Sequence, residues 1–254
     1  MSSVLVTGST DGIGAEIVRQ LAAQGHRPVA HARNDRRRDE ALAHLPDGTA
    51  VVVGDLASLK STRDMVRQLA ELGGVDVVVH NAGFASRDEE PRLTNDGIEE
   101  TLQVNVVAPY VLTALLPTPA RIVFVSSDSI VHVHLDLADL QLKTGWTAAS
   151  AYANSKLALT MLAFGVARLR ADALVNAVHP GWVRTKMSGD EAPLSVEQGA
   201  DSPAWLAVSQ EPAALVSGAF FQERHQVRFN EQAYEVAFQD GVLAACRAMT
   251  SLDL

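Results

Sequence analysis

Tyr152 and Lys156 stand four positions apart in SAYANSK, residues 150–156. On a helix, residues at this spacing share a face. A free phenol has a pKa near ~10, so it exchanges protons poorly at neutral pH. A lysine ammonium beside it favours the phenolate and lowers that value. Tyr152 is then a candidate general acid and general base. The same spacing also suits a partly buried tyrosine with a lysine snorkelling past it toward water. Spacing alone favours that plainer reading, and the pair needs support from elsewhere in the chain.

A second cluster lies near the N-terminus. Thr7-Gly8-Ser9-Thr10-Asp11-Gly12-Ile13-Gly14 follows a β-branched run and precedes a helical pattern. Glycines at Gly8, Gly12 and Gly14 let the backbone approach a pyrophosphate, and the helix N-terminus offers N–H groups and partial positive charge. Ser9, Asp11 and Ile13 fall within the same cradle and are candidate contacts. A tight turn whose glycines serve only backbone geometry is the alternative. The place of the triplet, after the first strand of an α/β alternation, favours a dinucleotide site. Its spacing, G-x3-G-x-G, differs from the common G-x-G-x-x-G.

At the end of the second strand an acid would select the adenosine 2′-hydroxyl, and an arginine would accommodate a 2′-phosphate. The chain reads His31-Ala32-Arg33-Asn34-Asp35 there, then Arg36 to Arg38. Ala32 takes the acid's place, and Arg33 and Asn34 follow it. NADP(H) is therefore expected over NAD(H). Asp35 keeps NAD(H) open, and the arginines also suit a solvated helix start. An oxidised nicotinamide is cationic and would favour the Tyr152 phenolate as Lys156 does. Hydride transfer itself belongs to the cofactor.

A frame has to bring these clusters together. Strands are predicted at 4–7, 28–32, 50–53, 75–80, 121–126 and 173–179, with 217–221 as a seventh, edge strand. Helical stretches fall at 13–23, 36–44, 59–72, 95–116, 150–170 and 195–209, the last opened by a Ser195–Gln198 capping box. The strands are continuous apolar runs, the pattern of strands covered on both faces. Strand–helix alternation then predicts an α/β fold, a parallel sheet with helices on both sides and the site at the carboxyl ends of the strands. No linker or repeat divides residues 1–254, so one domain is expected. Segments near 128–149 and 186–200 are the expected substrate loops, since long irregular loops are often functional. The stretch 223–234 is also irregular.

Composition narrows the partners. The chain has 254 residues, 47% hydrophobic and 20% charged, which suits a soluble globular fold. A net charge of −9 argues against a nucleic-acid surface. The one cysteine, Cys246, allows no intrachain disulfide and fits a reducing compartment. A strand from Ser3 or Val4 is expected to leave no room for an upstream anchor, and no apolar run reaches the ~18 residues of a membrane span. A cytoplasmic location is the expectation. His31, His80 and His179 adjoin strand ends without metal-ligand spacing, so structural histidines and no metal are expected. His132 and His134, in the insert, are candidates for the substrate entrance. Trp146, Trp182 and Met187 could wall the substrate or only pack the loops.

Read in order, TGSTDGIG (7–14), NAG (81–83), Asn105, VSS (125–127), YANSK (152–156) and HPGWVRT (179–185) resemble the short-chain dehydrogenase/reductase family from Val4 to about Phe221. The resemblance implies a doubly wound Rossmann fold with a mostly parallel, seven-stranded sheet and helices on both faces. It implies that Gly8, Gly12 and Gly14 form the phosphate turn and that Asp55, with Leu56, meets the adenine. Asn81, Ala82 and Gly83 would lie beside the adenine ribose, and Pro180, Gly181, Val183 and Thr185 would position the nicotinamide carboxamide. Asn105 would kink its helix and hold a water in a proton relay. Tyr152 would be the acid/base, and Lys156 would bind the nicotinamide ribose and tune the tyrosine. Ser127 would hydrogen-bond the substrate oxygen as charge develops, with Ser129 in reserve. The long insert after VSS, with Asp136-Leu137 and Asp139-Leu140 before AYANSKL, is similar to a retinol-dehydrogenase-like subgroup. The family's habits also imply a homodimer or homotetramer built on the helices at 95–116 and 150–170.

The resulting expectation is an NADP(H)-dependent enzyme that interconverts a carbonyl and an alcohol on a small or medium apolar substrate. The rivals are a catalytically silent dinucleotide-binding redox sensor and an NAD-linked alcohol dehydrogenase. Tyr152, Lys156 and Asn105 weigh against the sensor, which needs none of them.

Overall fold

Successive side chains of a strand point to opposite faces of its sheet, and both faces here are apolar. Val4, Val6, Val77, Val79, Val123 and Val125 enter one core, while Leu5, Val78, Ile122 and Phe124 enter the other. The computed structural model describes residues 1–117 and 119–254. Its parallel strands are β1 (Ser3–Val6), β2 (Arg27–Ala32), β3 (Ala50–Val53), β4 (Val77–His80), β5 (Arg121–Val125), β6 (Leu174–His179) and β7 (Phe220–Gln222). An eighth, β8 (His225–Val227), pairs antiparallel with β7. The order is β3-β2-β1-β4-β5-β6-β7-β8. Helices α1 (Gly12–Ala23), α2 (Asp35–Leu42) and α7 (Val196–Val208) supply residues to the first core. Helices α3 (Leu59–Glu71), α5 (Ala108–Leu115), α6 (Ala148–Leu169) and α8 (Val236–Thr250) supply the second. A short α4 (Glu100–Leu102) precedes α5.

The doubly wound, mostly parallel sheet is the expected one, with one strand more than expected. The sequence predicts the sheet edge at 217–221 and irregular chain over 223–234. Instead β8 covers β7. The two strands are joined by Glu223 and Arg224, both left-handed at φ 48° and 61°. A two-residue hairpin turn of this hand normally shows Asn-Gly or Asp-Gly, so Glu-Arg carried no turn signal. Tertiary contacts hold it: Arg224 pairs with Asp201, its N–H donates to the Ser202 hydroxyl, and its guanidinium lies over Trp205. Replacing Glu223 with asparagine, which tolerates this conformation better, is expected to raise stability by about 0.5–1 kcal/mol. Denaturant melts of the two proteins check it, and a fall in midpoint would show that Glu223 makes an interaction worth more than its backbone strain.

The C-terminal helix α8 was also absent from the sequence-based expectation. It packs along α6, where the Leu243 side chain fills the space over Gly165. The tail continues onto α5 and α3: Tyr110 Oη donates to the Leu252 carbonyl and Arg63 to that of Thr250. Every residue from Ser155 to Val166 is buried within the one chain. A helix apolar all round has to be enclosed, and α6 is enclosed by the sheet on one side and α8 on the other.

Because β1 lies between β2 and β4, the strand order reverses there while the strands stay parallel, and a crevice opens beyond the carboxyl ends of β1 and β4. Asn81 closes its base, donating from Nδ2 to the Thr7 and Gly8 carbonyls at 2.9 and 3.1 Å. The Ala82 N–H donates to the Thr7 hydroxyl at 3.0 Å. Among the described residues no helix is long and apolar enough to cross a membrane.

Candidate active site

The crevice widens into a cleft of about 620 Å³. The first turn forms one wall. Gly8 has φ 62°, and a Cβ there would stand 2.8 Å from the Ala82 Cα. A Cβ on Gly14 would come within 2.3 Å of the Gly8 carbonyl oxygen. Larger residues at either place would push the turn off the sheet. His31 braces it: Nδ1 accepts from the Gly8 N–H at 2.9 Å and Nε2 donates to the Gly54 carbonyl at 2.7 Å. Burial lowers the pKa of this imidazole and keeps it neutral, with the Gly54 carbonyl and Asp55 pulling the other way.

Ser9 spends its hydroxyl on the Val6 carbonyl and the His31 N–H, and its own N–H on the His31 carbonyl. It therefore pins the turn to β2 and does not line the cleft. Asp11 occupies the cap position of α1 but makes no capping bond. Its carboxylate bonds instead to Arg37 and Lys186, both at 2.7 Å. Partial burial opposes its charge, but the two cations more than offset this and hold the carboxyl below its ordinary range. The first-turn N–H groups of α1 thus lack a capping side chain and face the cleft, which suits an anionic diphosphate. Gly12, Ile13, Asp55, Leu56, Asn81, Ala82, Gly83, Pro180 and Thr185 line it as well. Asn34 does not; it caps α2, accepting from the Arg37 N–H at 3.0 Å. Gly181 and Val183 lie behind the lining, against Leu194 and Gly199.

Several cations stand on the rim. Arg36 pairs with Glu40, Arg37 with Asp11 and Glu40, and Lys186 with Asp11. Arg33 lines the cleft at the end of β2 and makes no ion pair among the described residues. The structure thus fits a dinucleotide: a cradle that a Cβ would fill, free N–H donors at a helix end, and an uncommitted guanidinium at the ribose end.

Deeper in the cleft, Thr147 and Ser150 cap α6 reciprocally, which starts the helix at Ala148 and sets Tyr152 and Lys156 one turn apart. Lys156 Nζ lies over the Tyr152 ring, 5.7 Å from its centroid, and donates to the Val125 carbonyl at 2.8 Å. Burial lowers the lysine to about 8. Tyr152 departs from the simple expectation. Burial, first, pushes its pKa up; the Ser127 hydroxyl pulls it back and the Asp128 carboxylate adds to the rise. The spacing predicts that Lys156 lowers the phenol toward neutral pH. Its ammonium is directed at Val125 across the ring face, and desolvation outweighs it. The chain by itself therefore holds Tyr152 as a protonated phenol, ready to act as an acid.

Asn105 is fully buried in a π-helical turn, Gln103–Val107, between α4 and α5. Such turns are frequent at functional sites. Its Oδ1 accepts from the Phe84 N–H at 2.7 Å, and Nδ2 donates to the Phe84 carbonyl and the Ser155 hydroxyl at 2.9 Å. Ser155 in turn donates to the Tyr152 carbonyl at 2.7 Å. The side chain therefore ties the 84 loop to the backbone of α6 at Tyr152. Ser127 follows β5 and caps a short turn beside Tyr152, while Ser129 Oγ is buried without a partner among the described residues.

The insert turns away from the cleft. Its Ile130 and Val133 carbonyls accept from Asn230, its Leu135 N–H donates to Gln232, and His134 packs edge-on against Phe238 of α8. His134, a candidate for the substrate entrance, thus lies against the C-terminal segment. From the second loop, Lys186 and Met187 do reach the cleft, and Phe84 adds a further apolar wall. Phe84 and Asp128 carried no signal of their own in the sequence; only their adjacency to NAG and VSS hinted at them.

Such a cleft takes a dinucleotide, and a buried phenol within it is useful for moving a proton as hydride is transferred, which is the work of nucleotide-dependent oxidoreductases. The comparisons agree. The chain belongs to the short-chain dehydrogenase/reductase family, whose profile, short chain dehydrogenase, matches residues 2–193. It is 33% identical to the short-chain dehydrogenase chry4 of Gibberella zeae over 260 residues, covering 100% of this chain and 99% of that protein. It is 31% identical to carbonyl reductase 1 (NADPH) of Homo sapiens, covering 87% of this chain and 95% of the relative. A blue fluorescent protein from a metagenomic library, solved in complex with NADPH, superposes with a TM-score of 0.68 at 29% identity, covering 86% and 94% of the two chains. The protein is an NAD(P)-dependent oxidoreductase.

Proposed function

We propose that this enzyme is an NADP(H)-dependent reductase that interconverts a carbonyl and an alcohol on a small or medium apolar molecule. The observation that carries the reading is a protonated, buried Tyr152 that lines the cleft with Lys156, with Ser127 next to it behind the lining, while the far rim holds the uncommitted Arg33. When bound, the cofactor supplies or takes up a hydride. Gly8, Gly12, Gly14 and the first turn of α1 hold its diphosphate, and Arg33 its 2′-phosphate. Asp55 and Leu56 meet the adenine, Asn81 to Gly83 the adjoining ribose, and Lys156 the second ribose. Pro180 and Thr185 bound the nicotinamide end. Ser127 donates to the substrate oxygen, Tyr152 gives that oxygen its proton, and Asn105 keeps Tyr152 in place through Ser155. Phe84 and Met187 exclude water from the reacting atoms. Carbonyl reductases that use NADPH among the relatives support both the reaction type and the cofactor. The single buried Cys246 needs no oxidising surroundings, which supports a cytoplasmic location.

A panel of ketones, aldehydes and alcohols, with NADPH, NADH and their oxidised forms, tests the reading at the reduced-nicotinamide absorbance band. Consumption of NADPH with at least one carbonyl is expected. Cofactor binding without turnover on any substrate, left unchanged by Tyr152→Phe, would favour the redox-sensor reading.

The proposed solution state is a monomer, in place of the oligomer implied by family habit. What supports it is that α8 and the tail already enclose α5 and α6. Light scattering after size exclusion is expected to return the mass of one chain. A stable dimer at micromolar concentration would show that another surface assembles.

A further inference from the structure

We propose that Glu100 recognises the adenine of the cofactor: its carboxylate, unspent on the protein, accepts a hydrogen of the exocyclic amine and so selects a 6-amino purine over a 6-oxo purine. This rests on the placement of the adenine beside Asp55 and Leu56 proposed above.

Glu100 opens α4, where its N–H donates to the Arg92 carbonyl at 2.9 Å. Its side chain lines the cleft, as do Asp55, Leu56 and Ala57. Asp96 brings the two segments together. Its Oδ2 accepts from the Leu59 N–H at 2.8 Å, at the start of α3, and from Gln103 Nε2 at 2.7 Å, just beyond α4. The loop after β3 and the turn that carries Glu100 are thereby docked on each other, so Glu100 belongs to the adenine end of the cleft. Val104, four residues further along, lines the cleft too and offers an apolar surface to a flat base.

The carboxylate stands without a hydrogen bond. Its Oε2 is buried and accepts from no donor among the described residues. The nearest cation, Arg92, is 65% exposed, with Nε 3.5 Å from Oε2 and Nη1 3.8 Å from Asp88. These are electrostatic approaches and not hydrogen bonds. The preceding residue behaves differently: Glu99 accepts from the Leu102 N–H at 2.7 Å and from Trp146 Nε1 at 3.4 Å. Of the acids that line the cleft, Asp11 is held by Arg37 and Lys186, Asp55 accepts from the Ala57 N–H through Oδ1, and Glu100 is held by no hydrogen bond. A buried acceptor without a partner is costly, and a donor on a ligand offsets that cost. The adenine amine carries two hydrogens. Asp55 has one oxygen left for the first, and Glu100 accepts the second.

Hypoxanthine carries an oxygen where adenine carries the amine. A carboxylate is an acceptor only, so it repels that oxygen. Dissociation constants for NADPH and for its reduced hypoxanthine analogue, read by quenching of tryptophan fluorescence with no substrate present, test the assignment. The wild-type enzyme is expected to bind NADPH at least about tenfold more tightly than the analogue. The amide in Glu100→Gln can accept from an amine or donate to an oxo group. This variant is expected to weaken NADPH by about tenfold and to bring the two constants within about threefold of each other. Glu100→Ala is expected to lose NADPH affinity similarly and to leave the analogue unmoved. Both ligands carry the 2′-phosphate, so their ratio is blind to the role of Arg33.

Equal constants in the wild-type enzyme, or a preference that Glu100→Gln leaves intact, overturn the assignment. Tighter binding of both dinucleotides by Glu100→Gln also overturns it, by making Glu100 a general source of repulsion toward the phosphates. Asp55→Asn separates these failures from failure of the adenine placement, because it keeps an acceptor for the Ala57 N–H. A base preference that Asp55→Asn alters and Glu100→Gln does not keeps the adenine beside Asp55 and removes Glu100 alone. A preference that neither variant alters places the adenine elsewhere and removes both.

Discussion

Tyr152→Phe is expected to reduce carbonyl turnover by about a thousandfold while the dissociation constant for NADPH stays within about twofold. The phenylalanine keeps the ring that packs under Lys156 Nζ and loses only the oxygen. General acid catalysis is worth ~10²–10⁴ in rate, and a thousandfold corresponds to about 4 kcal/mol of barrier. The upper part of that range is expected here, because burial keeps the Tyr152 phenol beside Ser127 protonated in the resting arrangement. Single-turnover rates with saturating NADPH isolate the chemical step, and quenching of the three tryptophans by the cofactor gives binding. Turnover within tenfold of wild type would remove Tyr152 from the role of acid and, with it, the central claim about this site.

Arg33→Ala is expected to weaken NADPH by about 10- to 100-fold and to leave NADH nearly unchanged. A guanidinium–phosphate contact is charge-assisted and contributes about 1.5–3 kcal/mol. Its neighbours cannot readily substitute. Arg37 is held by Thr10, Asp11 and Glu40, and Arg36 by Glu40. The Asp11 carboxylate near the turn would repel a 2′-phosphate if it were unpaired, and Arg37 and Lys186 neutralise it. Titrating both cofactors against wild type and variant decides the matter. An equal loss for NADPH and NADH would place Arg33 outside the 2′-phosphate contact, and no loss for either would take it out of the cofactor site.

How much of this could be read from the chain varies by element. The β-branched runs 4–7, 28–32 and 50–53 appear as β1, β2 and β3 within a residue or two at each end, because a strand buried on both faces must be apolar throughout. The Ser195–Gln198 capping box opens α7 as expected, because a cap is a contact between near neighbours. The eighth strand left no such trace, since its turn residues are held left-handed by Asp201, Ser202 and Trp205, from a helix twenty residues away. The fate of α6 was also out of reach. An apolar helix surface reads the same whether a second subunit or the chain's own α8 covers it.

The sequence by itself determined the doubly wound sheet, the glycine turn and the spacing of Tyr152 to Lys156, because each depends on residues close together in the chain. Tertiary structure alone decided the protonation of the phenol, since burial and Asp128 act on it through space and outweigh the opposing Ser127 hydroxyl. It also decided which arginine is free to meet a phosphate, because the partners of Arg37 come from the first turn. Desolvation and ion pairing depend on what surrounds a group in three dimensions, and no local pattern encodes that.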